Sequence, residues 1–218
     1  MIRLENINKI YQGKDIETQA LCNINLNIDC GEYIAIVGTS GSGKTSLLNI
    51  LGAMLHPTSG RYFYGDIEVT KLSQNKFNQF RKDNVSFIFQ NFELMDRYSV
   101  YENIEMPLLA KGIRQRKKIV EKYMEMLQIA HLSKKTPNCL SGGEKQRCAI
   151  ARALASDTNL ILADEPTGSL DGKTTDNILD VFDEVHKIGK TIILITHDQK
   201  VANHCKRILT IEDGKLHE

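Results

Sequence analysis

One short stretch restricts the possible folds of this chain more than any other. Ile34–Val37 is an apolar run with the length of a buried parallel strand. Residues 38–45 follow directly and read GTSGSGKT, which fits the pattern G-x-x-x-x-G-K-S/T of a phosphate-binding loop. The apolar residues within 47–51 then have the spacing of a helix with one apolar side. Strand, loop and helix in this order predict a site for a nucleoside triphosphate.

The residue types in this loop suit the binding of phosphate. Glycine permits backbone conformations that a Cβ atom would block, so successive N–H groups can point at one anion. The N-terminus of the following helix adds a partial positive charge at the same place. Lys44 can reach the β- and γ-phosphates, and the Thr45 hydroxyl can coordinate Mg²⁺. The predicted nucleotide-binding residues of the loop are Gly38, Thr39, Ser40, Gly41, Ser42, Gly43, Lys44, Thr45 and Ser46.

Composition limits the classes of protein to which the chain can belong. Its 218 residues fit one α/β domain, with or without an insert. The formal net charge of +1 gives no electrostatic reason to expect a nucleic acid partner. The five cysteines include no C-x-x-C pair, so reduced thiols in the cytosol are expected. No apolar run approaches the roughly 18 residues of a membrane span, so work at a membrane would need another chain.

The N-terminal part is predicted to be mostly β structure. Ile2–Tyr11 and Ala20–Ile28 are expected to form antiparallel strands, Arg61–Val69 a short strand pair, and Gln74–Asp83 a polar helix. Tyr11 ends the first strand. The residues alone favour an ordinary aromatic side chain at a strand end, although its ring could also stack on adenine.

The middle of the chain has a helical pattern. A buried strand is predicted at Val85–Phe89, and Gln90 closes it. Residues 92–138 show helical apolar spacing, with interruptions expected at Pro107 and Gly112. This region is interpreted as an inserted helical subdomain.

Residues 140–147 read LSGGEKQR and predict the start of a further helix. Ser141 followed three residues later by Glu144 has the form of a capping box. Gly142 and Gly143 in the first turn are costly for helix stability and leave N–H groups open to an anion. They therefore suggest the close approach of a ligand or of another backbone, although a well-capped helix alone is the simpler interpretation.

Leu160–Glu165 is an apolar strand that ends in two carboxylates. Asp164 suits a Mg²⁺ ligand in a chain with a phosphate loop, and Glu165 could deprotonate an attacking water. Adjacent acidic residues often only cap the next helix. Here the apolar strand before them is expected to place both carboxylates at the same edge of the sheet as the phosphate loop. Thr191–Thr196 is another buried strand with His197 at its end, where an open parallel sheet faces its ligand crevice. The other predicted elements are helices at Gly172–Lys187 and Gln199–His204 and a strand at Arg207–Glu212.

Taken together, these motifs resemble the nucleotide-binding subunit of ATP-binding cassette (ABC) transporters over essentially the whole chain. The resemblance is carried by GTSGSGKT, Gln90 in FIFQNF, LSGGEKQR, LADEPTGSLD and ITHD, in that order. LSGG between the phosphate loop and the Asp-Glu pair is the family signature. Within the family, the segment around YSVYENIEMPL is similar to the branch of macrolide and antimicrobial-peptide exporters and lipoprotein-releasing systems.

The resemblance implies a fold of the α/β class. A phosphate-loop NTPase core, a mostly parallel sheet flanked by helices, would carry an N-terminal antiparallel β subdomain and an inserted α-helical subdomain. Residues 1–90 and 159–218 would form the core with the β subdomain. Residues from about 91 to 158 would form the helical subdomain with the signature motif.

The resemblance also implies a role for each site residue. Tyr11 would stack on adenine, and the phosphate loop would hold the phosphates and Mg²⁺. Gln90 would touch the metal or the attacking water, and Asp164 would bind Mg²⁺ through water. Glu165 would be the catalytic base, and His197 would contact the γ-phosphate.

The signature motif would act on a second copy of the chain. Ser141, Gly142 and Gly143 would bind the γ-phosphate of ATP held by that copy, so two sites would form across a head-to-tail homodimer. Asp171 would lie at the dimer seam. Glu144 stands where many family members carry Gln, and because Glu keeps the capping role, activity is expected to be retained.

The expected function is that of an ATPase subunit at the cytoplasmic face of the cell membrane. It would power the export or extraction of an antimicrobial peptide, drug or lipoprotein through a separate transmembrane permease. The alternative is a non-transporting ATPase of the same branch that acts on a membrane partner controlling cell-wall hydrolysis during division. A soluble ABC ATPase of DNA repair or translation is disfavoured, because the chain has neither a long coiled-coil insertion nor a second cassette.

Overall fold

The computed structural model describes residues 1–13 and 16–218. Within them the strands are β1 (Ile2–Gln12), β2 (Glu17–Ile28), β3 (Tyr33–Val37), β4 (Ser59–Tyr64), β5 (Ile67–Glu68), β6 (Val85–Ile88), β7 (Leu160–Asp164), β8 (Thr191–Ile195), β9 (Arg207–Glu212) and β10 (Lys215–His217). The helices are α1 (Lys44–Leu51), α2 (Gln74–Asn84), α3 (Val100–Ala110), α4 (Arg116–Met126), α5 (Gly142–Ala155), α6 (Gly172–Lys187) and α7 (Gln199–His204).

The first sheet is antiparallel, with the strand order β2-β1-β4-β5. Ile2 of β1 lies opposite Ile28 of β2 on one side and Tyr64 of β4 on the other. This confirms the predicted N-terminal pairing and the short strand pair of β4 and β5. Both long strands extend further than predicted, and part of the predicted connection, residues 14 and 15, lies outside the described residues.

The second sheet has the strand order β10-β9-β3-β8-β7-β6 and is parallel except for β10. β3 lies between β8 and β9, because its apolar residues are buried on both faces. Asp164 and Ile36 both pair with Ile195 of β8, so β3, β7 and β8 end at one edge. β10 was not predicted.

Two apolar cores lie on the two faces of this parallel sheet. Alternating side chains of β3 divide between them: Tyr33 and Ala35 belong to one core, and Ile34 and Ile36 belong to the other. The first core also contains the buried faces of α3 to α6. The second contains α1, α2 and the antiparallel sheet. The architecture agrees with the predicted α/β core with an antiparallel β subdomain and a helical subdomain.

The helical region departs from the sequence prediction at one residue. Pro107 was expected to interrupt a helix but lies inside α3, and the Lys111 N–H donates to its carbonyl at 3.1 Å. Ile104 and Leu108 around it are buried in the core, so packing outweighs the hydrogen bond that proline cannot donate. Gly112, with φ of 70°, lies directly after the helix end, as expected. The residue limits of the subdomain, about 91–158, stay a prediction.

None of the helices in the described residues is long and apolar enough to cross a membrane.

Two helices of this region begin with the same capping box. Ser99 accepts a hydrogen bond from the Glu102 N–H at 3.2 Å, and the Glu102 carboxylate accepts from the Ser99 N–H at 2.7 Å. These bonds lower the pKa of Glu102 below its ordinary value. Ser141 and Glu144 make the same pair of bonds at the start of α5, as predicted.

We predict that Ser99→Ala destabilises the fold by about 1 kcal/mol, because the Glu102 N–H in the first turn of α3 loses its side-chain acceptor. Urea unfolding followed by circular dichroism measures this change. Ser73→Ala is the matched control, since Ser73 precedes α2 without a side-chain capping bond and should change stability little. Equal losses for both variants would contradict the role given to the Ser99 cap.

Candidate functional site

The phosphate loop joins the end of β3 to the start of α1 and packs tightly against the rest of the chain. A Cβ atom at Gly38 would lie 2.2 Å from the Ile211 carbonyl oxygen. Gly43 has φ of 110°, and a Cβ atom there would lie 2.3 Å from the Ala20 carbonyl oxygen. Both positions therefore require glycine, and the loop is wedged between the two sheets.

Lys44 places its ammonium group over the loop itself. Nζ donates to the carbonyl oxygens of Gly38 at 2.8 Å and Thr39 at 2.6 Å. Thr39, Ser40, Gly41 and Thr45 are exposed, whereas Ser42 is buried in the loop. The loop thus presents backbone, hydroxyl and ammonium donors to solvent on one side.

The two carboxylates lie at the same edge of the sheet. Asp164 is the last residue of β7, and the Glu165 N–H donates to the Ile195 carbonyl at 3.0 Å. Glu165 adopts a left-handed backbone conformation with φ of 47°. Burial and the charge of Glu165 raise the pKa of Asp164 above its ordinary value, while the nearby charge of Lys44 opposes this. Loop and carboxylates therefore form one electrostatic site.

His197 completes this cluster from the end of β8. Its Nδ1 lies 2.7 Å from Oε1 of Glu165. This hydrogen bond and the Glu165 charge raise the pKa of His197 above its ordinary value. The imidazole is 72% exposed while the Glu165 side chain is only 15% exposed, so the histidine covers the carboxylate from solvent.

Gln90 follows β6 and is exposed beside the same turn. A Cβ atom at Gly168 would lie 3.1 Å from Gln90 Nε2 and 3.5 Å from the Glu165 Cβ atom. The Gly168 N–H donates to the Glu165 carbonyl at 3.1 Å. The Gln90 amide therefore lies near Glu165 and Gly168. Glu165, Gly168 and His197 also line a cavity of 220 Å³.

Tyr11 lies on the far side of the loop and is held at its hydroxyl. The hydroxyl oxygen is 3.2 Å from Ser46 Oγ, and Lys9 Nζ is 5.1 Å from the ring centre. Lys9 was not predicted as part of the site, although its position two residues before Tyr11 on one strand was a usable signal. Tyr11 as a whole is 43% exposed, so part of the residue remains accessible to a ligand.

The signature residues are not brought to the phosphate loop of their own chain. A Cβ atom at Gly143 would lie 2.6 Å from Thr174 Cγ2, and one at Gly142 would lie 3.3 Å from Leu170 Cδ2. In this chain the atoms nearest to these two glycines belong to side chains near the start of α6, and the Ser169 backbone carbonyl oxygen would lie 3.8 Å from a Cβ atom at Gly142. Asp171 caps α6 by accepting from the Thr174 N–H at 3.0 Å.

The oxygen donors at the sheet edge fit Mg²⁺. The Thr45 hydroxyl, the Asp164 carboxylate and the Gln90 amide oxygen are ligand types that hard cations prefer. Among the described residues there is no group of three or more His, Cys, Asp or Glu side chains that could hold a metal by itself.

The chain matches the family model described as "ABC transporter" over residues 21–168. The chain belongs to the ABC transporter family. The match includes the phosphate loop, Gln90, the signature residues and the two carboxylates, whereas Tyr11 and His197 lie outside it.

Two relatives show how the chain compares in length. It is 41% identical to the macrolide export ATP-binding/permease protein MacB of Hyphomonas neptunium, over 99% of this chain but 34% of that protein. It thus spans about a third of this relative. It is 42% identical to the uncharacterized ABC transporter ATP-binding protein YvrO of Bacillus subtilis, over 99% of this chain and 95% of that protein.

Solved ABC structures share the fold. The dimeric structure of MJ0796, an ABC transporter cassette, aligns with a TM-score of 0.92 at 38% identity and covers 100% of this chain and 97% of that chain. A dimeric post-hydrolysis state of the same cassette, bound to ADP and Pi, also has a TM-score of 0.92. This cassette is therefore an ABC ATPase, which hydrolyses ATP to ADP and phosphate.

The pair of His197 and Glu165 makes stability depend on pH. A raised pKa in the folded cassette means that the pair contributes its stabilisation fully below the ordinary histidine pKa of about 6.5. The contribution is lost as pH rises through the folded pKa. Because His197 is mostly exposed, solvent screening keeps this contribution small.

We predict that NMR titration finds a His197 pKa above the ordinary value of about 6.5 and that Glu165→Gln lowers it towards that value. The physical reason is that the amide removes the negative charge next to the imidazole. Glu125→Gln is a control that removes an exposed carboxylate on α4, and it should leave the His197 titration unchanged. A His197 titration that is unchanged in Glu165→Gln would contradict the assigned pair.

Proposed function

We propose that this ABC ATPase powers the export or extraction of a substrate by a membrane permease. The proposal is supported by the 41% identity to a protein whose name joins macrolide export, ATP binding and a permease. The observation that carries the catalytic part is the meeting of the Lys44 loop, Asp164, Glu165 and His197 at one sheet edge. ATP is the substrate, and the cassette works at the cytoplasmic face of the membrane with its partner.

The nucleotide is held at both of its ends. Tyr11 stacks on adenine through its ring, with its hydroxyl kept in place by Ser46. The N–H groups of the loop and of the start of α1 bind the phosphates. Lys44 exchanges its two loop carbonyl partners for the β- and γ-phosphates, which are stronger acceptors because they are charged.

The metal site lies between the loop and the carboxylates. Thr45 and Gln90 would hold Mg²⁺ directly, and Asp164 would hold it through water. Bound Mg²⁺ supplies positive charge that neutralises the transferring phosphoryl group. Its charge would also favour the ionised form of Asp164, whose pKa is raised by burial and by the neighbouring charge of Glu165.

Glu165 acts as the general base for the attacking water. Its Oε1 accepts the hydrogen bond from His197, so the carboxylate is fixed in orientation and Oε2 is left to accept the proton of the water. The second ring nitrogen of His197 has no hydrogen-bond partner among residues 1–13 and 16–218, and it would contact the γ-phosphate. The left-handed backbone conformation of Glu165 is an outlier of the kind that is common at active sites.

A second copy of the chain completes the site. Ser141, Gly142 and Gly143 begin α5, and their N–H groups with the positive end of the helix suit a γ-phosphate. No hydrogen bond within residues 1–13 and 16–218 joins them to the phosphate loop. The solved dimer of the related cassette supports a homodimer. In this proposal its two copies are arranged head to tail, with Asp171 at their interface. ATP then favours the closed dimer by mass action, and hydrolysis loosens it.

A non-transporting ATPase that acts on a cell-division membrane partner would use the same phosphate chemistry. The identity to a protein named for macrolide export favours transport. Isolation of the membrane partner with the cassette distinguishes the two functions. Stimulation by nucleic acid is not expected, because the net charge is only +1.

We predict that Glu165→Gln slows ATP hydrolysis by about 10²- to 10⁴-fold and retains ATP binding, because the base is lost while the phosphate loop remains. Sedimentation of this variant with Mg-ATP should show a shift from monomer to dimer. Glu144→Gln is the matched control and should keep activity, because Gln also completes a capping box. Hydrolysis by Glu165→Gln at the native rate would show that Glu165 has another role.

We predict that Tyr11→Ala weakens ATP binding by about tenfold, because loss of base stacking typically costs ~1–3 kcal/mol. Binding of inorganic tripolyphosphate, which has no base, should stay the same when both ligands are measured by calorimetry. Tyr11→Phe keeps the ring and should bind ATP nearly as well as the native protein. An equal loss for ATP and tripolyphosphate would contradict adenine stacking.

A further inference from the structure

The chain after Gln90 enters a strained turn. Phe92 and Glu93 both have left-handed backbone conformations, with φ of 63° and 46°. Two such residues in succession are unfavourable for side chains with a Cβ atom. Most of residues 90–99, hereafter the Gln90 segment, is exposed, so burial alone does not hold this conformation. Specific polar contacts must do so.

Arg152 of α5 provides such contacts at the start of the Gln90 segment. Its Nη2 donates to the Phe92 carbonyl at 2.8 Å, and its Nη1 donates to the Glu93 carbonyl. The planar guanidinium group presents two parallel donors, which fit two successive carbonyls of a turn. Burial lowers the pKa of Arg152, and no carboxylate is paired with it in the described part of the chain. Its charge is therefore directed at this turn.

Asn103 of α3 holds the other end of the Gln90 segment. Its side chain is 1% exposed and accepts from the Met95 N–H at 2.8 Å. Its amide group donates to the carbonyls of Met95 at 3.2 Å, Tyr98 at 3.1 Å and Ser99 at 3.0 Å. All of its polar atoms thus bind backbone of one segment. The segment is therefore held near both ends by side chains of two different helices, the half-buried Arg152 and the buried Asn103.

We propose that Arg152 is a positioning residue that sets the place of Gln90 at the nucleotide site. The signature residue Ser141 caps the start of α5, and Arg152 lies near the other end of this helix. A shift of α5 therefore moves the turn at Phe92 and Glu93, and with it the Gln90 amide beside Gly168. The proposal rests on the proposed function of Gln90 as a ligand of the metal or water.

A merely structural arginine would have different consequences from a positioning one. Loss of a structural contact lowers stability and all binding together. Loss of the positioning contact should alter only metal affinity and ATP hydrolysis, which depend on Gln90. Arg81 is a matched control, because its Nη1 also donates to a backbone carbonyl, that of Ala53 at 3.0 Å, but in a different part of the fold.

The test compares Arg152→Met, Arg152→Lys, Arg81→Met, Gln90→Ala and the double variant Arg152→Met with Gln90→Ala. Mn²⁺ affinity is measured by paramagnetic resonance in the presence of a non-hydrolysable ATP analogue. Affinity for the analogue alone is measured in EDTA, ATP hydrolysis is measured at saturating nucleotide, and hydrogen exchange reports the order of the Gln90 segment.

We expect Arg152→Met to weaken Mn²⁺ binding and slow hydrolysis, each by about tenfold, with analogue affinity in EDTA nearly unchanged. Exchange in the Gln90 segment should rise. Arg152→Lys should recover part of both losses, because it restores one charged donor. The double variant should have the same Mn²⁺ affinity and hydrolysis rate as Gln90→Ala, since both substitutions remove the same function. Arg81→Met should leave Mn²⁺ affinity as in the native protein.

Multiplicative losses in the double variant, or an unchanged Mn²⁺ affinity in Arg152→Met, would overturn the positioning role. A Gln90→Ala variant with native Mn²⁺ affinity and a native hydrolysis rate would overturn it as well, because Gln90 would then have no role at the site. These outcomes can be distinguished from failure of the proposed ATPase function, because in that case the native protein itself would not hydrolyse ATP. The native rate is therefore measured first.

Discussion

The close fit of the phosphate loop between the two sheets is the constraint on which the rest of the structure depends. Gly38 meets the Ile211 carbonyl of β9, and Gly43 meets the Ala20 carbonyl of β2, at distances that leave no room for a Cβ atom. The antiparallel sheet is therefore needed to shape the loop, in addition to carrying Tyr11. A chain with the parallel sheet alone would lack both one wall of the loop and the ring beside it.

A second constraint is electrostatic and follows from the parallel order of the strands. Strands β7 and β8 end next to β3, so Asp164, Glu165 and His197 must share an edge with Lys44. Burial and, after it, the charge of the adjacent Glu165 raise the pKa of Asp164. The charge of Lys44 opposes this rise only in part. Additional positive charge would therefore be favourable at this edge, and a divalent cation bound together with a polyphosphate would supply it.

Features of the fold and the site that depend on residues close in sequence could be predicted from the sequence. Features that depend on contacts between residues far apart in the chain could not. The capping box of Ser141 and the buried strands depend on neighbouring residues, so their spacing was sufficient. Pro107 was misjudged because burial of the residues around it outweighs its local preference. Arg152 donates to backbone carbonyls 59 and 60 residues away in the chain. Every residue has a backbone carbonyl, so such a contact requires no particular residue type and cannot be detected as a sequence pattern.

The arrangement of α5 explains how one helix can serve two sites. Its first turn is open to an anion at Ser141, and its packing against Thr174 leaves that turn fixed relative to α6. Arg152 on the same helix holds the turn after Gln90. α5 is one continuous helix of 14 residues, so its first turn and Arg152 belong to a single hydrogen-bonded element. In the proposed dimer, the occupancy of a partner's nucleotide at the first turn and the position of Gln90 near the other end would therefore be coupled through this helix.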